Sequence, residues 1–427
     1  MILNGKTVSK ELLARYIGYL LLIIPLIPIE GLYYLNRSVY NLVFTYLTAI
    51  DALAIIGYWM MYLFKSKKKL GYAALILMML AVYNIVMTIG RHGDIRGAIG
   101  VWLYTIPVIL LAEINRNKLG DFLKIVLFYL EFLILVNFLL TLIYPNGMYS
   151  VDTSRYGKMW ILGYKSSLQC YVFPAVVISL LFSAYGRHYK NTIFLLLISH
   201  AVCISESNGM LLAGLAMIDL IVITKLYQKK FISRKALIII VAVIAVANII
   251  VVFFTSSFLS SSAVQYIIYS LLGKNATLSL RTSNWRAVLP AIKANPIWGY
   301  GYTWESSRAI LYGRETAHAH NLFLELLYES GAIGFILFVI LNIVILRRLY
   351  KHFKKTSSRV IFYALVVFYL MYIFENVFQK SSSFIWLLFI TGYYTNFVDA
   401  ELNNAVPAVA RKSRRIGIMN NGIINQK

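Results

Sequence analysis

Long apolar segments recur along most of this chain, and their length restricts what it can fold into. Crossing about 30 Å of hydrocarbon takes about 20 mostly apolar residues, and a helix satisfies every backbone polar group within its own segment. We therefore expect an all-α polytopic membrane protein of about 12 transmembrane helices. The predicted spans are 12–35, 41–64, 70–90, 98–114, 121–144, 168–185, 192–205, 209–225, 236–254, 320–346, 360–377 and 384–398.

One pair of spans has a second interpretation. The polar stretch SESNG separates 192–205 from 209–225, and the first of these spans is short. A broken or re-entrant element buried inside the protein would fit the pair as well as two separate helices.

Composition excludes a soluble protein and, with it, nucleic-acid binding. Hydrophobic residues make up 60% of the chain and charged residues 14%, with a mean hydropathy of +0.71, whereas soluble domains are about half apolar and a quarter charged. The 41 basic residues outnumber the 17 acidic ones, but they cluster between apolar segments, as in cytoplasmic membrane loops. Cys170 and Cys203 lie inside apolar segments and are assigned neither a disulfide nor a metal.

Positive charge is concentrated in alternate loops, and this pattern predicts which loops face the cytoplasm. The basic clusters at 65–69, 115–118, 186–190, 225–235, 347–359 and 410–415 fall on one side under this assignment, which is then the cytoplasm. Residues 1–400 are predicted to form a single membrane domain with a retained first helix, and 401–427 a disordered basic cytoplasmic tail. The opposite, outer side receives two long loops.

The first long loop covers about 145–167 and the second, which we expect to be partly helical, about 255–319. Both contain cations that the positive-inside rule does not explain. An anionic ligand such as a phosphorylated lipid headgroup would explain several of them, because the arginine fork fits phosphate. For any single cation, contact with solvent or with anionic membrane lipid is the more common explanation. The cations are Arg155, Lys158, Lys165, Lys274, Arg281, Arg286, Lys293, Arg308 and Arg314.

The second long loop has the most informative sequence. Arg281, Trp285, Val288 and Ile292 share one helical face, which predicts an amphipathic helix on the membrane surface that Pro290 kinks. Further on, Gly299 and Gly301 allow a positive φ or a close backbone approach to a ligand, although an ordinary turn has the same pattern.

A histidine stands where the second long loop enters the next helix. His320 is placed to act as a general base or phosphate partner near neutral pH, and Asn321 is placed to cap the helix. A histidine at a membrane interface is also common without any such role. Gly331 and Gly334 would allow close packing of that helix.

Together these residues resemble the signature of the O-antigen ligase and polymerase superfamily of bacterial membrane glycosyltransferases. The family pattern is an R…W…NP..G.G segment in a large outer loop, closed by HN-x9-G-x-x-G, and this chain fills it from Arg281 to Gly334. The segment from Arg155 to Gly163 is similar to the family's Arg before a Gly-rich segment. Where the family often has Ser-Arg, this chain has Ser207-Asn208, and Arg155 or Lys165 would supply that phosphate contact instead.

The resemblance implies an enzyme in the bacterial cytoplasmic membrane with an outward-facing site. It would transfer an oligosaccharide from undecaprenyl pyrophosphate to an acceptor hydroxyl. By this resemblance His320 and Arg281 are the catalytic residues, with His320 accepting or orienting the acceptor proton and Arg281 holding pyrophosphate. Donor or sugar binding falls to Arg155, Lys165, Trp285, Gly299, Gly301 and Asn321.

No acidic motif with metal-ligand spacing occurs in either long loop, so we expect a metal-independent reaction without a cofactor. Polymerisation of lipid-linked repeat units into a capsule, exopolysaccharide or O-antigen is our first hypothesis. The alternative within the family is a ligase that passes the glycan to a lipid or protein. Expected partners are the lipid-linked oligosaccharide, the bilayer, a flippase and a chain-length regulator.

A lipid-linked oligosaccharide flippase or other transporter is the alternative from another class. Asp51, Glu131 and Asp219 lie within predicted spans, where ionisable groups are costly and often functional. They would form a proton relay in a transporter, but pairing with cations at helix ends explains them equally well. A flippase does not need the long outer loop with its Arg and His, and this favours the transferase.

Overall fold

The structure is a computed structural model, and its described part is mostly helical. It describes residues 2–3, 6–7, 10–66, 70–149, 159–183, 281–304, 318–373, 376 and 380–404, with isolated positions at 239–240, 243, 246, 266, 270 and 307. The helices are α1 Lys10–Ile23, α2 Glu30–Leu35, α3 Arg37–Asn41, α4 Thr48–Ser66, α5 Tyr72–Gly90, α6 Ile95–Ile114, α7 Leu119–Ile143, α8 Gln169–Ser183, α9 Arg281–Ala294, α10 Leu322–Lys351, α11 Thr356–Met371, α12 Ser383–Tyr393 and α13 Thr395–Asn404.

Two short antiparallel hairpins accompany these helices. Strand β1, Ile2–Leu3, pairs with β2, Lys6–Thr7, and β3, Met159–Trp160, pairs with β4, Gly163–Tyr164. The second hairpin lies in the first long loop. A π-helical segment, Leu42–Leu47, joins α3 to α4.

Five helical segments in the described part are long and apolar enough to cross a membrane. They are Arg37–Lys65, Tyr72–Gly90, Ile95–Ile114, Arg116–Ile143 and Leu322–Lys351. These segments coincide with predicted spans, so the membrane class and helical fold expected from the sequence are confirmed. Predicted spans 192–205 and 209–225 and nearly all of 236–254 lie outside the described residues, and the total of about 12 stays a prediction.

The first predicted span, 12–35, is broken in the structure. Helix α1 ends at Ile23, a short 3₁₀ turn follows at Ile24–Leu26, and α2 begins only at Glu30. Pro25 and Pro28 lie in the break. Because proline has no N–H and its ring clashes with the preceding turn, the helix stops there despite the apolar sequence around it.

Helices α5, α6, α10 and α12 form the centre of the bundle. Helix α10 packs along α5, and α12 packs against α6 and α10. Every residue of α12 is buried. A helix that is apolar on all sides is stable only when protein or lipid surrounds it, and protein fills that role here.

Two ends of the bundle differ in charge. At the basic end, Glu113 accepts hydrogen bonds from the Gly71 N–H (3.2 Å) and the Tyr394 hydroxyl (2.6 Å), and it pairs with Arg116 (3.2 Å). Arg348, near the end of α10, lies over the Tyr393 ring at 4.9 Å. The predicted basic loops 115–118 and 347–359 therefore share one end. The second long loop meets the bundle at the opposite end, called here the loop end.

Candidate functional site

The segment 295–302 of the second long loop docks onto a bend in α10. The Gly301 N–H donates to the Glu329 carbonyl (2.8 Å), and the Ala332 N–H donates to the Pro296 carbonyl (2.8 Å). These bonds replace helical bonds at the bend, so the loop segment and the helix share one backbone network. The NP..G.G and G-x-x-G parts of the motif, which are distant in sequence, form a single structural unit.

Glycine is required on both sides of this contact. Gly331 has φ +57° inside α10, and a Cβ there would lie 2.3 Å from the Ile297 carbonyl oxygen and 2.7 Å from the Gly299 nitrogen. Gly299, with φ +75°, would place a Cβ 2.6 Å from the Gly331 nitrogen. Both positions need the left-handed backbone region and the space that only glycine leaves.

The turn between α5 and α6 is a third component of the site, which was not among the residues expected from the sequence. The Tyr302 N–H donates to the Thr88 hydroxyl (2.8 Å), and the Asp94 N–H donates to the Tyr302 carbonyl (2.7 Å). Gly301, with φ +71°, packs so closely that a Cβ would lie 2.5 Å from the Thr88 Cα. Gly301 therefore serves backbone packing in this structure, as Gly299 does.

A signal for this third component was present in the sequence. Arg91 and Arg96 are exposed cations at the loop end, where the positive-inside rule predicts few, just as in the two long loops. The Arg91 guanidinium donates to the Asn295 side-chain oxygen (3.2 Å), in the NP part of the motif. The same argument that singled out the loop cations would have found this short turn.

His320 occupies an unusual backbone conformation. Its φ is +51°, a region that residues other than glycine adopt uncommonly and at a cost. On one side, the Ala319 N–H donates to Glu325 Oε2 (2.6 Å). On the other side, Asn321 accepts hydrogen bonds from the N–H groups of Phe323 and Leu324 (3.0 Å each). The predicted helix cap at Asn321 is confirmed.

Helix α11 also supports this turn. The Asn321 side-chain amide donates to the Ile373 carbonyl (3.0 Å), and the Leu322 N–H donates to the Tyr372 carbonyl (3.0 Å). The rings of His318 and His320 lie 4.7 Å apart. Three separate elements, the loop, α10 and the end of α11, therefore place His320 at the loop end.

Helix α9 is amphipathic as predicted, but protein covers its apolar face. Trp285 is 1% exposed and clusters with Val288, Ala319, Leu324 and Tyr328. The expected placement on the membrane surface is wrong for this face, because α10 and the residue before His320 pack against it. Pro290 lies inside the helix, which continues to Ala294, and the kink expected at Pro290 stays a prediction. Burial accounts for Trp285 by packing, and its contact with sugar stays a prediction.

The structure gives less information on the predicted pyrophosphate ligands. Arg155 lies outside the described residues. Arg281 is the first residue of α9 and Lys165 the first residue of a 3₁₀ turn, Lys165–Leu168, but their side chains are also outside the described part. Their roles therefore stay predictions.

The intramembrane carboxylates are only partly placed. Asp51 lies on α4 and Glu131 on α7, both half-buried, and Asp219 falls outside the described residues. Within the described ranges there is no group of three or more His, Cys, Asp or Glu side chains that could hold a metal ion. Metal independence stays a prediction, as does a role for these carboxylates.

Comparison with known proteins finds similarity in the part of the chain that contains this site. Residues 193–339 match the protein-family model described as "O-Antigen ligase". The chain is 24% identical over 232 residues to the ComP-specific O-oligosaccharyltransferase of Acinetobacter baylyi, covering 51% of the chain and 41% of that relative. It is 30% identical over 113 residues to the exopolysaccharide production protein ExoQ of Rhizobium meliloti, covering 22% of the chain and 26% of that relative.

The matches thus cover less than half the length of these curated relatives. No solved structure matches the chain significantly. The family match contains α9, the docked segment 295–302, His320 and the bend at Gly331. The match of residues 193–339 to the O-antigen ligase model supports the superfamily predicted from the Arg281-to-Gly334 pattern and, with it, a membrane enzyme of the glycosyltransferase type.

Proposed function

We propose that the protein polymerises undecaprenyl-pyrophosphate-linked oligosaccharide repeat units into a surface polysaccharide on the outer face of the cytoplasmic membrane. The observation that carries this proposal is the turn at His320. Left-handed backbone at a non-glycine residue costs about 1–3 kcal/mol and persists where the surroundings enforce it, often at active sites. Here the loop, α10 and α11 all enforce it.

The proposed reaction is a direct transfer to an acceptor hydroxyl. The acceptor oxygen forms a bond to the anomeric carbon of the donor sugar while the bond from that carbon to the pyrophosphate oxygen breaks. His320 takes the proton of the hydroxyl, an effect worth about 10² to 10⁴ in rate, and later returns it to solvent. Undecaprenyl pyrophosphate leaves with the bonding electron pair, so atoms and charge balance without an oxidant or reductant.

Negative charge develops on the leaving pyrophosphate, and arginine is suited to stabilise it. Bidentate hydrogen bonds from a guanidinium match phosphate oxygens, and fixed cations near a low-dielectric membrane act more strongly than they would in water. Arg281, Arg155 and Lys165 are the proposed donor-binding cations. Arg281 begins α9, and α9 is anchored on α10 through Trp285, which supports a fixed position for the Arg281 backbone.

The charge of the two ends supports an outward-facing site. Positively charged loops stay in the cytoplasm, and loops 115–118 and 347–359 share the basic end of the bundle. His320 lies at the other end of α10. This arrangement supports a site on the side where a lipid-linked repeat unit arrives after a flippase has moved it, and a chain-length regulator would act on the same side.

A ligase is the second candidate. The match to the ComP-specific O-oligosaccharyltransferase extends over 51% of the chain, against 22% for ExoQ. Both candidates use the same donor and the same leaving group, and they differ only in the acceptor. We keep the polymerase first because a lipid-linked sugar acceptor does not require a docking module for a folded protein.

The test is a glycan ladder from cells that lack their own polymerase. Wild type, Arg281→Ala and His320→Ala are each expressed, with His352→Ala at the basic end as the histidine control and with insertion checked by immunoblot of membranes. Wild type and His352→Ala should restore long chains, whereas the two site variants should leave single repeats. Full-length chains from both site variants would refute the assigned site.

The gel, together with a protection assay for the leaflet that holds the lipid-linked repeats, separates the alternatives. If repeat units polymerise normally without the protein but stay unattached to an acceptor, the ligase replaces the polymerase. If lipid-linked repeats accumulate only on the inner leaflet when the protein is absent, a flippase replaces both.

A further inference from the structure

Glu325 is a buried carboxylate that the proposed reaction does not use. It lies in the first turn of α10 with 0% of its surface exposed. Its Oε2 accepts a hydrogen bond from the Ala319 N–H at 2.6 Å. Burying a carboxylate is costly, and such groups are retained in proteins where specific polar contacts compensate.

The peptide group that Glu325 holds joins His318 to Ala319, one residue before the peptide bond to His320. Ala319 itself is 0% exposed and packs in the Trp285 cluster. Asn321 anchors the residue after His320 to α10 and α11. His320 thus lies between two fixed points, and Glu325 provides one of them.

Without this hydrogen bond the turn has a lower-energy alternative. Left-handed φ at a residue with a Cβ is disfavoured, so His320 would relax toward negative φ once the preceding residue, Ala319, is released. Such a relaxation moves the imidazole, and a displacement of about 1 Å can cost about 100-fold in rate. The hydrogen bond from the Ala319 N–H to Glu325 therefore helps to determine the position of His320, the proposed base.

We propose that Glu325 is a positioning residue, which holds the Ala319 peptide and thereby fixes the His320 imidazole for proton transfer. This inference rests on the proposed function. Glu325 acts through the backbone and does not touch the substrate. Its effect is on the chemical step, so kcat should respond and the KM for the lipid-linked donor should not.

The decisive variants differ in one property each. Glu325→Gln keeps an acceptor oxygen in the same place, and Glu325→Met fills similar space without one. Glu325→Asp keeps the charge, but its side chain is one methylene too short to reach the Ala319 N–H. It replaces Glu325→Met as the test variant if the methionine variant does not accumulate. In proteoliposomes with lipid-linked repeat units from polymerase-deficient cells, Glu325→Gln should keep most of the wild-type kcat. Glu325→Met and Glu325→Asp should lose about 100-fold in kcat with an unchanged donor KM.

Glu113 offers a matched control. It is 1% exposed and its carboxylate likewise accepts a backbone N–H, from Gly71, but at the basic end of the bundle. Glu113→Met should lower the melting temperature while the kcat of the folded fraction stays at the wild-type value. Equal loss of kcat in Glu113→Met and Glu325→Met would overturn the proposal, because any buried carboxylate would then have the same effect.

A double-mutant cycle distinguishes positioning from general stabilisation. If Glu325 acts through His320, Glu325→Met should add less than about threefold to the loss caused by His320→Ala. A full further 100-fold loss, or wild-type kcat in both Glu325→Met and Glu325→Asp, would refute the inference. If His320→Ala alone transfers glycan at the wild-type rate, His320 is not the base and the inference fails with that role. If the wild-type protein forms no chains, the proposed function itself fails, and the two failures are thereby distinguished.

Discussion

At the scale of single residues, Gly331 determines how the loop and α10 meet. Its positive φ and the nearby Ile297 carbonyl both exclude a side chain. The bend that it permits exposes backbone carbonyls of α10 to the N–H groups of the docked loop. A single glycine in an otherwise helical sequence thus converts an internal helix bond into a contact between elements.

Gly331→Ala should destabilise the protein by more than about 2 kcal/mol, since backbone strain and the contact with the Ile297 carbonyl add together. The measurement is thermal unfolding in detergent, followed by far-UV circular dichroism. Gly57→Ala is the control, because a Cβ at that helical glycine meets nothing within 4 Å and should be neutral or stabilise by about 1 kcal/mol. Equal melting temperatures for the two variants would contradict the role of Gly331.

At the scale of elements, α9 is held to α10 by one large side chain. Trp285 lies between the two helices with 1% of its surface exposed. Trp285→Ala should cost about 3–5 kcal/mol through the cavity that it leaves. Trp298 is 51% exposed, so Trp298→Ala should stay within about 0.5 kcal/mol of wild type. Chemical denaturation in mixed micelles gives the free energy of unfolding of both variants. If Trp285→Ala loses as little of this free energy as Trp298→Ala, α9 is not anchored on α10 through Trp285.

The docked loop is also held to α5, through Thr88. Thr88→Val removes the oxygen that accepts the Tyr302 N–H and should cost about 1–3 kcal/mol, because that N–H is left without its partner. Thr105→Val is the control, since the Thr105 hydroxyl, equally buried, bonds only to the Val101 carbonyl of its own helix among the contacts described. Limited proteolysis of the second long loop should accelerate in Thr88→Val alone. Equal cleavage rates in both variants would argue against this contact.

At the scale of the whole molecule, the two ends of the bundle should face opposite sides of the membrane. Arg91 at the loop end and Lys351 at the basic end are both exposed. With wild-type labelling as the baseline, a membrane-impermeant maleimide should label Arg91→Cys in intact cells. Lys351→Cys should react only after permeabilisation, as the positive-inside rule requires. The reverse labelling pattern would place the loop end, and with it the proposed site, on the cytoplasmic side.

Sequence alone determined the class of the protein and the parts of its candidate site that are close in the chain. The apolar spans, the amphipathic periodicity of α9 and the cap at Asn321 depend on local spacing, which the covalent order of residues sets directly. The family pattern from Arg281 to Gly334 was also readable from residue types and spacing. The break at Pro25 was readable in principle, because proline acts locally, but the surrounding apolar length concealed it.

Only the tertiary structure decided which distant parts meet. Thr88 and Tyr302 are separated by 214 positions, and no local pattern encodes that contact, which depends on how α5 packs against α10. The burial of Trp285, the joint requirement for Gly299 and Gly331, and the bond from Ala319 to Glu325 likewise follow from packing and backbone geometry. Spacing predicts which residues share an element, whereas the free energy of packed helices determines which elements share a site.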